Sequence, residues 1–264
     1  MLTKHGTQDT TTSPDRTHRP AIDEDEQTMI SKTTLARVAG LLYLAVAVLG
    51  GFSQLFVRPS VIEPGDAAAT AANISSSSTL FRMGFIADLV SITLFLLVAI
   101  VLYVLLKPIN EKAALAMVVF NAVAVAIMSI NMVNHAAAYL VATSADYSAV
   151  LGDTAAAAQA MLFLDLHSLG YLVAEIFFGL WLLPLGYLVL RSGYFPKILG
   201  VLLMIGTASY VGDVLVSLLF SDAPENLSLV IATPAGIAEL AFLTWLSVMG
   251  AKSIRKSERL PAVA

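Results

Sequence analysis

Ionisable side chains stand inside long apolar blocks in this chain, and that pairing constrains its fold more than any other feature. Six apolar stretches run over about residues 36–56, 83–106, 113–141, 160–190, 198–220 and 231–250. A helix of about 20 apolar residues covers the hydrocarbon core of a bilayer. Within these stretches lie Asp88, His135, Asp165, His167, Glu175, Asp213 and Glu239. A charge at the centre of such a span costs at least roughly 2.5–3.5 kcal/mol, so each group needs a partner, a cavity or a proton.

Composition agrees with a membrane architecture. Apolar residues make up 58% of the chain and charged residues 13%, with a mean hydropathy of +0.81. Soluble domains average roughly 45–50% and about 25%. The excess is concentrated in blocks, which excludes a large soluble core as its cause. Cysteine is absent, so disulfides, thiolate metal ligands and a cysteine nucleophile are excluded. The expected fold is all-α: a polytopic bundle of six transmembrane helices spanning residues 31–252.

The flanks differ in kind. Residues 1–30 are polar, with an acidic run Asp23-Glu24-Asp25-Glu26, and read as a disordered tail. Met29 offers a second reading, a start immediately before the first span that leaves residues 1–28 untranslated. Residues 253–264 form a basic tail suited to anionic lipid. Pro184 lies inside the fourth block, where proline removes a helical hydrogen bond and kinks the rod. The connection 57–82, with its run of alanines and serines, has the composition of a short helix at the membrane surface.

Orientation is read from lysine and arginine near the span ends. Lys32, Arg37, Lys107, Lys112, Arg191, Lys197, Lys252, Arg255, Lys256 and Arg259 fall on one side, and Arg58 and Arg82 on the other. Ten against two predicts both termini in the cytoplasm and an inner (plasma) membrane location. Acids such as Glu63, Asp66, Asp146, Asp153, Asp222 and Glu225 occupy the outer connections. Two formal glycosylation acceptors, at Asn73 and Asn226, carry no weight in the bacterial source favoured here.

With that orientation, nearly all the intramembrane polar groups fall between the outer surface and the midplane. Asn131, Asn134 and His135 follow i, i+3, i+4 and share one helix face. His167, Tyr171 and Glu175 follow i, i+4, i+8 and form a second stripe, while Asp165 points about 200° away from His167. Asp88 shares a third face with Ser91. Asp213 and Glu239 complete the layer, and Arg82 is the expected counter-charge to Asp88. The candidate ligand-binding set is therefore Arg82, Asp88, Asn131, Asn134, His135, His167, Tyr171, Glu175, Asp213 and Glu239.

Three readings compete for this layer. It can tie helices together by hydrogen bonds. It can bind or translocate a small solute, a lipid headgroup or a proton. It can serve a membrane-embedded enzyme, for which the acids and histidines are suitable metal ligands. No two histidines stand at i, i+4, and HExxH, GxSxG and phosphate-loop patterns are absent, so no catalytic residue, metal or cofactor is assigned. Membrane lipids are the expected partners, with a small molecule or proton as ligand and no nucleic acid. Small-residue pairs Ala36/Gly40 and Ala208/Gly212 suit close helix packing, and Trp181 and Trp245 read as packing or lipid-facing residues.

Several longer motifs resemble one family. They are Leu80-Phe81-Arg82-Met83-Gly84-Phe85-Ile86-Ala87-Asp88-Leu89, Leu102 through Asn110, Asn131-Met132-Val133-Asn134, Leu166 through Tyr171, and Phe177 through Tyr187. The stretch from about residue 35 to 252 is similar to a bacterial integral membrane family, domain of unknown function 4386. The resemblance implies six transmembrane helices and transfers no catalytic residue, so function has to be argued from the site.

Overall fold

The computed structural model describes residues 23–220 and 225–251. Among these the secondary structure is entirely helical. Helix α1 (Asp23–Gly51) continues through a π-helical turn (Phe52–Val57) into α2 (Arg58–Val61). Then come α3 (Ala67–Ser76), α4 (Ser78–Leu106), α5 (Glu111–Thr143), α6 (Ala145–Leu151), α7 (Asp153–Ser192), α8 (Lys197–Leu219) and α9 (Glu225–Val248).

Six rods are long and apolar enough to cross a membrane: Lys32–Val61, Ser78–Leu106, Glu111–Thr143, Asp153–Ser192, Lys197–Leu219 and Leu227–Val248. Each contains or overlaps one of the apolar blocks, so the six-span architecture expected from the sequence is the observed one. At 1.5 Å per residue the 40-residue α7 is about 60 Å long, twice the hydrocarbon thickness. Its surplus length supports α3, the short helix expected in the 57–82 connection, which packs against α7 and α5.

Two boundaries differ from expectation. Helix α1 starts at Asp23, so residues 23–30 belong to a helix and not to an unstructured tail. Once an apolar helix has nucleated, each further residue adds a hydrogen bond at little cost, and the helix runs on into polar sequence. Residues 1–22 and the basic tail at 253–264 lie outside the described residues. The first span also overruns its expected end at Phe56 and continues to Val61, with consequences for Arg58.

Local sequence explains the remaining ends. Asn110 caps α5, its Oδ1 accepting from the Ala113 amide at 3.1 Å, and Asp66 caps α3 through the Ala69 amide at 2.9 Å. Gly193, at φ +67°, stops α7 in a left-handed conformation that a side chain would oppose.

The long helices close a ring in which each packs on two neighbours, in the order α1, α4, α5, α7, α8, α9 and back to α1. Toward the end bearing the 107–110 and 193–196 connections the interior is solid, filled by Leu102, Leu105, Leu106, Trp181, Leu185, Leu188, Phe195 and Phe242. Trp181 reaches across the ring, 4.9 Å from Phe95 and 6.0 Å from Tyr43 between ring centroids. Toward the end bearing α3 the interior opens into a cavity.

Small residues set the closest crossings. A Cβ on Gly40 would overlap the Ser247 amide nitrogen, so α1 and α9 touch there as the Ala36/Gly40 pair predicts. The Ala208/Gly212 pair makes no comparable crossing, because a Cβ on Gly212 would meet only Ile231, at 3.7 Å, and Ala208 is exposed. The α7–α8 crossing uses Gly186 and Gly200 instead, where a Cβ on either would stand 2.8 Å from the other's carbonyl oxygen. Overpacking of this kind costs about 1–3 kcal/mol. Gly40→Leu is accordingly expected to lower the thermal unfolding midpoint in detergent while Gly51→Leu, which has no neighbour within 4 Å, leaves it unchanged.

Candidate functional site

Two polar clusters stand on the inward faces of the ring, and neither is held by one helix alone. The first centres on Asp88 of α4. Ser53, in the π-helical turn, donates to Asp88 Oδ2 at 2.7 Å. Arg58 donates to the same oxygen at 3.1 Å, forming the one ion pair found among the described residues. The Arg58 side chain is 14% exposed and that of Asp88 5%. Arg82 stands on the exposed face of α4, so the expected Arg82–Asp88 pairing is corrected to Arg58–Asp88. The reason is geometric: six residues before Asp88 on one helix, Arg82 projects about 120° away from it, at 100° per residue. The π-helical turn and α2 bring Arg58 inward from the neighbouring rod. Irregular helical turns of this kind recur where a side chain has to be re-aimed at a site.

Arg58 also donates to Nε2 of His167. A guanidinium has no acceptor, so Nε2 is the accepting nitrogen and Nδ1 carries the hydrogen. Nδ1 accordingly donates to the Asn131 carbonyl at 3.2 Å, while the Asn131 amide donates back to the His167 carbonyl at 2.7 Å. Asn134 donates to Asn131 Oδ1 at 3.0 Å. Gly170 permits this approach of α5 and α7, because a Cβ there would overlap Asn131 Oδ1. His135 completes the cluster, tilted at 31° against Phe81 at 4.1 Å and edge-on to His167 at 5.6 Å between centroids. Its Nε2 is buried with no hydrogen-bond partner.

The second cluster centres on Glu239 of α9. Tyr43 of α1 donates to Glu239 Oε1 and Tyr210 of α8 donates to Oε2. Close by, Glu175 of α7 lies beside Asp213 of α8. Ser228 donates to Asp213 Oδ2 at 2.9 Å, while Oδ1 is buried without a partner.

A cavity of about 420 Å³ joins the clusters, with Asp88 and Glu239 both in its wall. Most of the remaining wall is apolar, including Val46, Ile92, Phe95, Met128, Phe178 and Leu243, with Gln54, Ser91, Tyr171 and Tyr210 adding polar atoms. Helices α1 and α9, in contact at Gly40, leave room along the cavity: Gly51 and Gly236 line it, and a Cβ on either would have no neighbour within 4 Å. Leu55 and Leu240 beside them are exposed. Here the cavity wall reaches the surface that lipid would cover.

Of the residues singled out from sequence, Asp88, His135, His167, Asn131 and Asn134 come together in the first cluster. Glu175, Asp213 and Glu239 gather around the second, and Tyr171 lies in the cavity wall. Asp165 is exposed, on the far side of α7 from His167. The sequence reading missed Arg58, Ser53, Tyr43 and Tyr210. Tyr210 had a signal, since it stands three residues before Asp213 and hence on the same face. Tyr43 and Ser53 had none.

A closed ring of six membrane-length helices around a polar interior defines the class: a polytopic all-helical membrane protein. The model of the family described as domain of unknown function (DUF4386) matches residues 38–250, and the chain belongs to that family. It is also similar to an uncharacterized protein of Archaeoglobus fulgidus, 34% identical over 155 residues, which cover 59% of this chain and 76% of the relative. That relative is archaeal, so it lends no support to the bacterial source expected from the sequence. No solved structure matches.

Proposed function

We propose that the protein binds a small amphipathic ligand in the intramembrane cavity, which the ligand enters from the lipid between α1 and α9. The observation that carries this reading is the cavity wall: apolar over most of its area, with the Glu239 carboxyl held between two tyrosine hydroxyls. Its volume falls within the roughly 300–1,000 Å³ of small-molecule sites. Glu175, Asp213 and Glu239 have no basic partner among the described residues, so the interior is chemically matched to a cationic or hydrogen-donating head group. In this reading the ten-to-two asymmetry of lysine and arginine puts both termini in the cytoplasm and the α3 end outside.

The test is ligand-dependent stability of the purified chain in detergent, with decylamine as the probe and decanoate as the control. Binding to the folded state alone stabilises by about 2.7 kcal/mol at a hundredfold excess over Kd. Decylamine is expected to raise Tm by about 5 °C near saturation, decanoate to have no effect, and Glu239→Gln to abolish the response. Equal shifts from amine and carboxylate, or an undiminished shift in Glu239→Gln, would count against the proposal.

A further inference from the structure

The first cluster carries an inference that the amphiphile reading does not use. Ligand atoms of Asp88, His135 and His167 all lie within 4.8 Å of one another, and all three residues are buried. Two independent features distinguish this set from an ordinary interior network. His135 Nε2 is buried and unpartnered, a state that buried polar atoms rarely keep without an ion or water to satisfy them. His167 is held as metal-binding histidines are held, with Nδ1 donating to the Asn131 backbone carbonyl and the Nε2 lone pair turned to the Arg58 guanidinium. Asp88 is likewise fixed by a hydrogen bond from Ser53.

A cation already stands at that point. The Arg58 guanidinium contacts both Asp88 Oδ2 and His167 Nε2, and its own Nε is buried without a partner. We propose that Asp88, His135 and His167 form a three-ligand site for a divalent metal ion of the zinc class. Arg58 acts as a tethered cation that fills the site in the metal-free chain and withdraws when the ion enters. Tetrahedral zinc with bonds of about 2.0–2.2 Å sets its ligand atoms about 3.4 Å apart. The donors therefore close up by no more than about 1.4 Å once the guanidinium leaves. Arg58 has a way out, because it lies near the end of its rod and its side chain is 14% exposed. Two histidines and one carboxylate leave a fourth position open, the pattern of zinc sites that bind water or substrate and not of closed structural ones.

The experiment uses the full chain in detergent, stripped with chelator and then given Zn²⁺ or Co²⁺ alone. The expected result is one equivalent of Zn²⁺ per chain by elemental analysis and a visible Co²⁺ absorption of four-coordinate character. Both disappear in His135→Ala and in His167→Ala. Arg58→Ala binds Zn²⁺ about tenfold tighter, the competing cation being gone, and regains thermal stability as the ion restores positive charge beside Asp88. If Arg58→Ala does not accumulate, Arg58→Gln reads the same competition. No stoichiometric uptake by wild type or by the Arg58 variants overturns the proposal, and so does uptake that survives loss of either histidine. His135→Ala leaves the decylamine response intact, so failure of the metal site and failure of the amphiphile reading are told apart.

Discussion

Arg58→Ala is expected to destabilise the metal-free chain by about 3–5 kcal/mol, because it strips the counter-charge from a carboxylate buried in the bundle. The cost comes less from the lost attraction than from the charge left behind. Asp88 keeps its bond from Ser53 but loses the guanidinium that shares Oδ2, and His167 Nε2 loses its donor at the same time. Arg82→Ala serves as the control: its side chain is exposed, and such substitutions usually fall within about 0.5 kcal/mol. The double variant Arg58→Ala/Asp88→Asn is expected to recover most of the loss, since the uncompensated charge is gone. Thermal or denaturant unfolding in detergent reads all three. Comparable losses at positions 58 and 82 would mean that the Arg58–Asp88 pair is not what holds these helices together.

The same pair shows what was legible in the sequence and what was not. Hydropathy over whole blocks located all six rods, because membrane helices have to be long and apolar irrespective of their neighbours. Faces within one helix were also legible: Asn131 with His135, and Asp165 opposed to His167, follow from 100° per residue alone. Pairings between helices were not. Arg58 lies two residues past an apolar block and counts, by hydropathy, as a loop residue. Only the continuation of the helix through Phe52–Val57 to Val61 turns it inward. Tyr43 is chemically ordinary in an apolar span and gains its role from Glu239, 196 residues away. Gly170 matters because Asn131 lies against it, a contact between α5 and α7 that no local pattern encodes. The single polar layer expected from depth alone resolves into two clusters, since depth along each helix is local information and rotation about the ring is not.

The second large effect is expected at Glu239→Leu, and it separates the wiring of the cluster from its use. Both carboxyl oxygens of Glu239 are engaged, one by Tyr43 of α1 and the other by Tyr210 of α8. One side chain therefore joins three helices, two of which, α1 and α9, are where the ring closes on itself. Leucine fills a similar volume and accepts nothing. Each hydroxyl left unsatisfied in an apolar interior costs about 1–3 kcal/mol, so the pair amounts to about 2–6 kcal/mol. Removing the donors as well reverses the logic, because an apolar group that replaces every member of a hydrogen-bonded set leaves no orphan. Tyr43→Phe/Tyr210→Phe/Glu239→Leu is accordingly expected to be more stable than Glu239→Leu alone, a coupling that the double- and triple-mutant cycle measures directly. That combined variant keeps the cavity and loses its polar head-group contacts. It is expected to fold and to give no decylamine response, which assigns the carboxyl to the ligand and the helix closure to packing at Gly40. If the triple variant is no better than Glu239→Leu, the tyrosines are satisfied by other groups and Glu239 does not join the three helices.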